Sequence, residues 1–183
     1  MKDIIRLSKF LSFVLRHRPE KIGLALDANG WAEVTDLLEK MNQNGYQIDP
    51  QLLVQVVETS DKQRFALSAD GTMIRANQGH SVQVDLGLKP IVPPELLFHG
   101  TATKNLNSIH KLGLQKGKRH HVHLSADKAT AAKVGGRHGK AVVLKIMAGK
   151  MHQSGHLFYR SENGIWLAEA VPVEFIERQE ENG

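Results

Sequence analysis

The first half of the chain begins with helical patterns of apolar residues. Hydrophobic positions recur every three or four residues between residues 3 and 17 and predict a first helix, with Asp3 as its N-cap. Pro19 disfavours helical geometry at Arg18 and so ends this helix. A second apolar stripe predicts another helix over residues 34–41.

A third helix and a hairpin follow. Asp49-Pro50 combines a capping residue with a proline at the first helical position and predicts where the third helix begins. Residues 64–68 and 72–75 flank an Asp-Gly turn and predict two paired strands. Three helices followed by a hairpin is the order of a winged-helix domain, a fold that usually binds nucleic acid.

The second half of the chain alternates short strands with two short helices. Thr101 or Thr103 is the expected cap of the first helix, and Ser125 or Asp127 begins the second. This pattern predicts an α+β domain with antiparallel strands. The predicted strands cover residues 96–99, 121–124, 141–146, 158–160, 165–167 and 171–176, and the helices end at Gly113 and at Gly135-Gly136.

A linker at residues 89–94 separates the two halves, because three prolines in six residues resist both helix and central strand. We therefore expect one domain over residues 1–90 and another over residues 95–183. Within the second, the strand at residues 141–146 is apolar enough to be buried on both faces or nearly so.

Composition narrows the functional classes. The 183 residues are 41% hydrophobic, which is enough for a packed core, and contain no cysteine, which excludes thiol catalysis, disulfides and thiolate metal sites. No apolar run approaches the roughly 20 residues needed to cross a bilayer, and the N-terminus does not read as a signal peptide. We expect a soluble, cytoplasmic protein without a membrane partner, and a monomer because no exposed apolar stripe is evident.

The charge is concentrated in one segment. Residues 104–150 contain eleven Lys or Arg and one acid, Asp127, although the whole chain carries a net charge of only +5. Such a local excess of positive charge indicates an anionic partner such as RNA, DNA or a phosphorylated ligand. The alternative explanation is a solvated lysine-rich surface.

Two groups of basic residues could bind phosphate. Arg16, His17 and Arg18 follow the first helix, where they complement the negative helix end or form a phosphate clamp. Arg119 lies beside His121 and His123, which share a face of a predicted strand. The two histidines could chelate a metal, but no third ligand is close in sequence apart from Asp127, so we expect no metal.

His99-Gly100-Thr101 lies where a strand turns into a helix. Glycine there would let a ligand approach the backbone, and the following helix N-terminus would attract phosphate; a plain turn with a threonine cap explains the same residues. Common Rossmann, P-loop and serine-nucleophile motifs are absent.

Taken together, these motifs resemble the RNA (tRNA) 2′-phosphotransferase family along nearly the whole chain. The resembling segments are Ser8–Ser12, Leu15–His17, Gly23-Leu24, Gly30-Trp31, Arg64-Phe65, His99–Thr101, Gly113-Leu114, Arg119–Ser125 and Asn163–Leu167. The resemblance implies a winged-helix RNA-binding lobe, followed by a lobe of the ADP-ribosyltransferase fold that binds NAD⁺.

The resemblance also implies a reaction and its residues. Family members transfer an internal RNA 2′-phosphate to NAD⁺ through an ADP-ribosylated 2′-phosphate and release nicotinamide, ADP-ribose 1″,2″-cyclic phosphate and RNA with a free 2′-hydroxyl. The catalytic set would be Arg16, His17, Arg64 and Arg119. The NAD⁺-binding residues would be His99, Gly100, Thr101, Ser108, His123 and Ser125. We expect these cations to meet one phosphorylated ribose in a cleft between the lobes.

The same residues are compatible with two other functions. One is an ADP-ribosyltransferase that modifies terminal phosphates of nucleic acids, and the other is a winged-helix binder without enzymatic activity. Glu169 is the nearest candidate for the glutamate of protein-modifying ADP-ribosyltransferases, and we expect it to be structural.

Overall fold

The computed structural model describes residues 2–60 and 62–177, apart from the side chains of Lys2 and His138. The protein is an α+β protein, as expected, and separates into two compact units, Met1–Gly87 and Leu88–Gly183. Each unit has its own cluster of buried hydrophobic residues. Within the described residues, no helix has the length and apolar character required to span a membrane.

The first unit packs helices against a small antiparallel sheet. Its sheet has the strand order β1-β3-β2. The elements are α1 (Lys2–Arg16), β1 (Trp31–Glu33), α2 (Val34–Gln43), α3 (Pro50–Glu58), β2 (Phe65–Leu67) and β3 (Met73–Ala76). The three helices and the hairpin were predicted, whereas β1 was not, because three residues are too few for an alternating pattern.

The apolar stripes of the helices form the core of this unit. Leu11 and Leu15 of α1, Leu37 of α2 and Ile74 of β3 are all fully buried. The predicted cap of α3 is confirmed, since the Asp49 carboxylate accepts a hydrogen bond of 2.8 Å from the backbone N–H of Leu52.

The start of α1 differs from the sequence prediction. The helix already includes Lys2, so Asp3 lies in its first turn rather than at the N-cap. A carboxylate there still complements the positive helix end. At the other end, Arg18 has φ −142° and ψ 57°, which confirms that the residue before Pro19 leaves helical geometry.

The described part of the second unit, up to residue 177, contains short antiparallel strands and three α-helices. Two sheets have the orders β11-β7-β4 and β6-β9-β8, and β10 pairs with β5. The elements are β4 (Leu97–Ala102), α4 (Leu106–Leu112), β5 (Leu114–Gln115), β6 (Val122–Leu124), α5 (Lys128–Gly135), β7 (Ala141–Ile146), α6 (Ala148–Gln153), β8 (Phe158–Arg160), β9 (Trp166–Ala168), β10 (Ala170–Val171) and β11 (Ile176–Glu177).

The predicted helix starts in this unit were partly wrong. Asp127 caps α5 by accepting a 2.7 Å hydrogen bond from the backbone N–H of Thr130, as expected. Neither Thr101 nor Thr103 caps α4, which follows a short 3₁₀ turn and has no side-chain cap. Thr101 cannot serve, because it belongs to β4 and is buried there.

Two strand predictions were also wrong. The expected strand over residues 171–176 is interrupted at Pro172 by a 3₁₀ turn, which leaves the separate strands β10 and β11. In β7 only Leu144 and Ile146 are buried, whereas Lys145 reaches the Glu177 carboxylate in an ion pair of 2.7 Å. The strand is therefore buried on one face.

Candidate functional site

Three of the predicted catalytic residues come together in the first unit. Arg16 is the last residue of α1, and its Nη2 donates a hydrogen bond of 3.3 Å to the carbonyl oxygen of Arg64, 48 residues later in the chain. His17 Nδ1 and the Ser81 hydroxyl share a hydrogen bond of 2.9 Å, and the Ser81 N–H donates to the Arg16 carbonyl at 2.8 Å. The Arg16 side chain thus contacts the backbone of Arg64, and Ser81 links His17 to the backbone of Arg16.

Ser60 and Asn77 hold the backbone of Arg64 in place through hydrogen bonds. Gln63 has φ 40°, and in the described residues it is the only non-glycine with a positive φ. Asn77 fixes this turn, because its Nδ2 donates to the Gln63 carbonyl at 2.6 Å and its backbone N–H donates to the Arg64 carbonyl at 3.0 Å. The Ser60 hydroxyl accepts from the backbone N–H and from Nη1 of Arg64 at 3.3 and 3.4 Å.

These supporting residues were missed by the sequence analysis. Ser60, Asn77 and Ser81 lie in polar loops and at the end of a strand, where no periodicity or motif marks them. Asn77 is only 7% exposed, and a buried asparagine is unusual enough to suggest a structural role. Burial is a property of the folded chain, so the sequence carried no signal for it.

In the second unit, His99 is held in one tautomer. Its Nδ1 lies 3.0 Å from the carbonyl oxygen of His123. Because a carbonyl only accepts, Nδ1 carries the proton and Nε2 of the neutral ring is an acceptor. Burial lowers the pKa of His99 below its ordinary value and the positive charge of Arg119 lowers it further, against the opposing effect of the His123 carbonyl. His99 is therefore suited to accept a hydrogen bond from a ligand hydroxyl.

Thr101 lies on the same face of β4 as His99, since side chains alternate along a strand. It is 5% exposed, and its hydroxyl accepts a hydrogen bond of 3.1 Å from Asn105 Nδ2. The hydroxyl proton remains able to donate to a second group.

Gly100 has a packing role that the sequence analysis did not foresee. A Cβ on Gly100 would lie 1.7 Å from the carbonyl oxygen of Ala131 in α5, and a Cβ on Gly135 would lie 2.6 Å from the Thr101 carbonyl. The two glycines let α5 pack directly on the backbone of β4. Close approach of a helix, rather than of a ligand, explains the glycine at position 100.

Arg119 lies in an exposed turn after β5, where its N–H donates to the Lys116 carbonyl at 3.1 Å. Lys116 forms an ion pair of 2.6 Å with Glu169, and this contact lowers the pKa of the Glu169 carboxyl. The guanidinium of Arg119 is close enough to His99 to influence its pKa. Arg119, His99 and His123 thus form the candidate site of the second unit.

The two remaining predicted ligand residues lie in different settings. Ser125 exchanges two backbone hydrogen bonds with Phe98 of β4, at 2.7 and 2.8 Å, and so adjoins the strand that carries His99. Ser108 is exposed on α4, and no hydrogen bond of its hydroxyl to another described side chain is present.

The histidines near Arg119 pack against their neighbours. The ring of His121 lies 5.4 Å from the ring of Tyr159. Burial lowers the pKa of His121, and the nearby His120 and Lys116 add to the shift while Glu169 opposes it. Across residues 2–60 and 62–177, no group of three or more His, Cys, Asp or Glu side chains is arranged to hold a metal ion.

Comparison with known proteins identifies relatives across almost the full chain. The sequence model of the family described as "RNA 2′-phosphotransferase, Tpt1 / KptA family" matches residues 2–170. This chain is also similar to proteins named "Probable RNA 2′-phosphotransferase" from three bacteria. It is 52% identical to the protein of Nostoc punctiforme over 96% of this chain and 97% of that protein. The identity is 57% for Agrobacterium fabrum, over 92% of this chain and 91% of that protein, and 56% for Pseudomonas aeruginosa, over 96% of this chain and 97% of that protein.

Proposed function

The chain belongs to the RNA 2′-phosphotransferase family, a family of transferases, and from this premise we propose that it moves an internal 2′-phosphate from RNA to NAD⁺. The products are RNA with a free 2′-hydroxyl, nicotinamide and ADP-ribose 1″,2″-cyclic phosphate. The catalytic residues are Arg16, His17, Arg64 and Arg119. The observation that carries the proposal is the group formed by Arg16, His17 and Arg64 in the first unit.

The residue types suit a reaction between two anions. A phosphate dianion is already a nucleophile, so the first step needs orientation and charge neutralisation rather than a strong base. A guanidinium presents a planar fork of donors to phosphate oxygens and stays charged at any working pH. Arg16 and Arg64 provide two such forks, and His17 adds a third donor.

NAD⁺ supplies an electrophilic ribose carbon with nicotinamide as its leaving group. The 2′-phosphate oxygen forms a bond to that carbon as the bond to nicotinamide breaks. The neighbouring ribose hydroxyl then forms a bond to phosphorus, the bond from phosphorus to the RNA 2′-oxygen breaks, and this oxygen takes up the proton that the hydroxyl loses.

The donor set of the second unit fits such a substrate. His99 Nε2 is an acceptor for a ribose hydroxyl, the buried Thr101 hydroxyl can donate, and Arg119 provides a positive charge for a phosphate group. We assign His123 and Ser125 to the same NAD⁺ site because their backbones adjoin His99 and its strand. Gly100 contributes by letting α5 pack on β4, and Ser108 is the least supported member of the set.

We further propose the architecture that this assignment implies. Residues 1–90, whose three helices and antiparallel sheet follow winged-helix order, form the RNA-binding lobe. Residues 95–183, with their short antiparallel strands, form a lobe of the ADP-ribosyltransferase type. Such a lobe accounts for NAD⁺ binding without the glycine-rich Rossmann motif, which this sequence lacks.

The test combines the protein with NAD⁺ and an RNA oligonucleotide that carries one internal 2′-phosphate. We expect nicotinamide release in equal amount to the 2′-hydroxyl RNA and the cyclic phosphate, and no reaction when NAD⁺ is omitted. The matched control is the same oligonucleotide without the 2′-phosphate.

Two results would replace this proposal. Nicotinamide release with a 5′-phosphorylated oligonucleotide, leaving a stable ADP-ribosylated end and no cyclic phosphate, would indicate an ADP-ribosyltransferase of terminal phosphates. Salt-sensitive RNA binding without any NAD⁺-dependent product would indicate a binding protein alone.

A further inference from the structure

One side of α1 carries aromatic rings and cations that the proposed reaction does not use. They line a groove of about 460 Å³, which we call the α1 groove. Its lining residues are Ile5, Arg6, Lys9, Phe10 and Phe13 of α1, together with Tyr46. At about 100° per residue these helix positions lie away from the core stripe of α1, so the groove faces outward.

The apolar part of the groove is built around stacked rings. Phe10 and Tyr46 are stacked with centroids 3.9 Å apart, and the Arg6 guanidinium carbon lies 5.1 Å from the centre of the Tyr46 ring. Beside this stack, Phe13 is 39% exposed and Ile5 is 56% exposed. The absence of an exposed apolar stripe, assumed from the sequence, is therefore wrong for α1.

The charge of the groove selects for an anionic occupant. Arg6 and Lys9 are exposed on the same side of the helix, and within the described residues neither forms an ion pair with a carboxylate. Cations beside exposed aromatic rings are the combination that proteins use for single-stranded nucleic acid, in which phosphates meet the charges and bases stack on the rings.

The groove ends about one helical turn before the proposed phosphate-binding residues. The Phe13 carbonyl accepts a hydrogen bond of 3.0 Å from the N–H of His17, so Phe13 lies one helical turn before it. With a rise of about 1.5 Å per residue, Arg6 lies about 15 Å from Arg16 along the axis. At about 3.4 Å per stacked nucleotide this distance corresponds to about four nucleotides.

We propose that the α1 groove binds the single-stranded RNA that flanks the 2′-phosphate, with a base stacked on Phe13 and backbone phosphates at Arg6 and Lys9. The proposal rests on the proposed function, since it places the 2′-phosphate at Arg16 and His17. It extends that function by assigning recognition of the flanking nucleotides to the side chains of the α1 groove.

The test compares two substrates that each carry one 2′-phosphate, a dinucleotide and an octanucleotide. In the wild type we expect a higher kcat/KM for the octanucleotide. Phe13→Ala lowers the octanucleotide value by about 5- to 100-fold and the dinucleotide value much less, because the octanucleotide loses a base stack. Phe13→Tyr, which keeps an aromatic ring, restores the octanucleotide value.

Charge is tested by the salt dependence of octanucleotide binding, measured by fluorescence anisotropy without NAD⁺. Lys9→Gln reduces the slope of log affinity against log salt by about one, because one phosphate contact is lost. The matched control is Lys21→Gln, which removes an exposed lysine of the same unit outside the groove and keeps the wild-type slope.

The possible outcomes separate this proposal from the proposed function. Wild-type kinetics and wild-type octanucleotide affinity in Phe13→Ala overturn the groove assignment, and so does an equal loss on both substrates. If the wild type is a dimer and Phe13→Ala converts it to a monomer without changing RNA affinity, the groove binds a second copy of the chain. This result would also overturn the RNA assignment. If the wild type releases no nicotinamide but Phe13→Ala still weakens octanucleotide binding, the proposed reaction is overturned while the RNA-binding role of the α1 groove is supported.

Discussion

The role of Gly100 can be decided by adding a single methyl group. In Gly100→Ala the new Cβ would lie 1.7 Å from the Ala131 carbonyl oxygen, 2.6 Å from the Ala131 carbonyl carbon and 2.8 Å from the Gly135 nitrogen. All three are backbone atoms, so no side chain can rotate away to make room. Because Cβ atoms essentially never approach another heavy atom within 3.0 Å, the helix α5 must move away from β4 by more than 1 Å.

The expected cost is large for so small a change. Overpacking usually costs about 1–3 kcal/mol, and a clash with backbone on both sides of the contact lies at the upper end of that range or beyond. We therefore expect Gly100→Ala to lower the free energy of unfolding by about 3 kcal/mol or more. The measurement is unfolding of the second unit in guanidinium chloride, followed by circular dichroism at 25 °C.

Gly136→Ala is the matched control. Gly136 has φ −61° and ψ −15°, a helical conformation that alanine prefers, and a Cβ there would meet no atom within 4 Å. We expect it to be neutral or to stabilise the protein by up to about 1 kcal/mol. If Gly100→Ala were as stable as Gly136→Ala but bound NAD⁺ poorly, the glycine would serve ligand approach and the packing explanation would be wrong.

Two further changes test how the site residues are supported. Asn77→Ala removes the 2.6 Å hydrogen bond to the turn before Arg64, and we expect it to lower the free energy of unfolding by about 1–3 kcal/mol. At temperatures where the variant is folded, we expect a lower kcat and an unchanged NAD⁺ affinity. An unchanged kcat would contradict the positioning role of Asn77. For His99 the folded pKa is below its ordinary value of 6.5, so the unfolded chain binds the proton more readily and stability falls as the pH drops below 6.5. Urea unfolding at pH 7.5 and 5.5 should show a smaller difference for His99→Gln than for the wild type, and equal differences would refute this assignment.

Local features of the fold were predictable because they depend on neighbouring residues. The caps at Asp49 and Asp127 and the end of α1 before Pro19 each follow from a residue and the few that adjoin it. Features that depend on distant partners were missed or wrong. The strand β1 exists because β3 pairs with it, and Thr101 fails as a cap because β4 extends through it.

The same distinction applies to the candidate site. The sequence marks Arg16 and His17 as residue types suited to phosphate, whereas Arg64 joins them only through the family resemblance. The hydrogen bond from Arg16 to the Arg64 carbonyl joins residues 48 positions apart, which no local pattern predicts. The supporting residue Asn77 was invisible for the same reason, since only the folded chain brings it to the turn before Arg64.

We propose that the guanidinium groups of Arg16 and Arg64 hold the RNA 2′-phosphate. The most direct measurement is the single-turnover rate of 2′-phosphate removal at saturating NAD⁺ for Arg16→Ala, Arg64→Ala and, as a control, Arg18→Ala. Arg18 is a surface arginine whose ion pair with Glu20 leaves both side chains 61% exposed. We predict rates at least about 100-fold below wild type for the first two variants and a wild-type rate for the control. Wild-type rates in Arg16→Ala and Arg64→Ala, or an equal loss in Arg18→Ala, would contradict the claim.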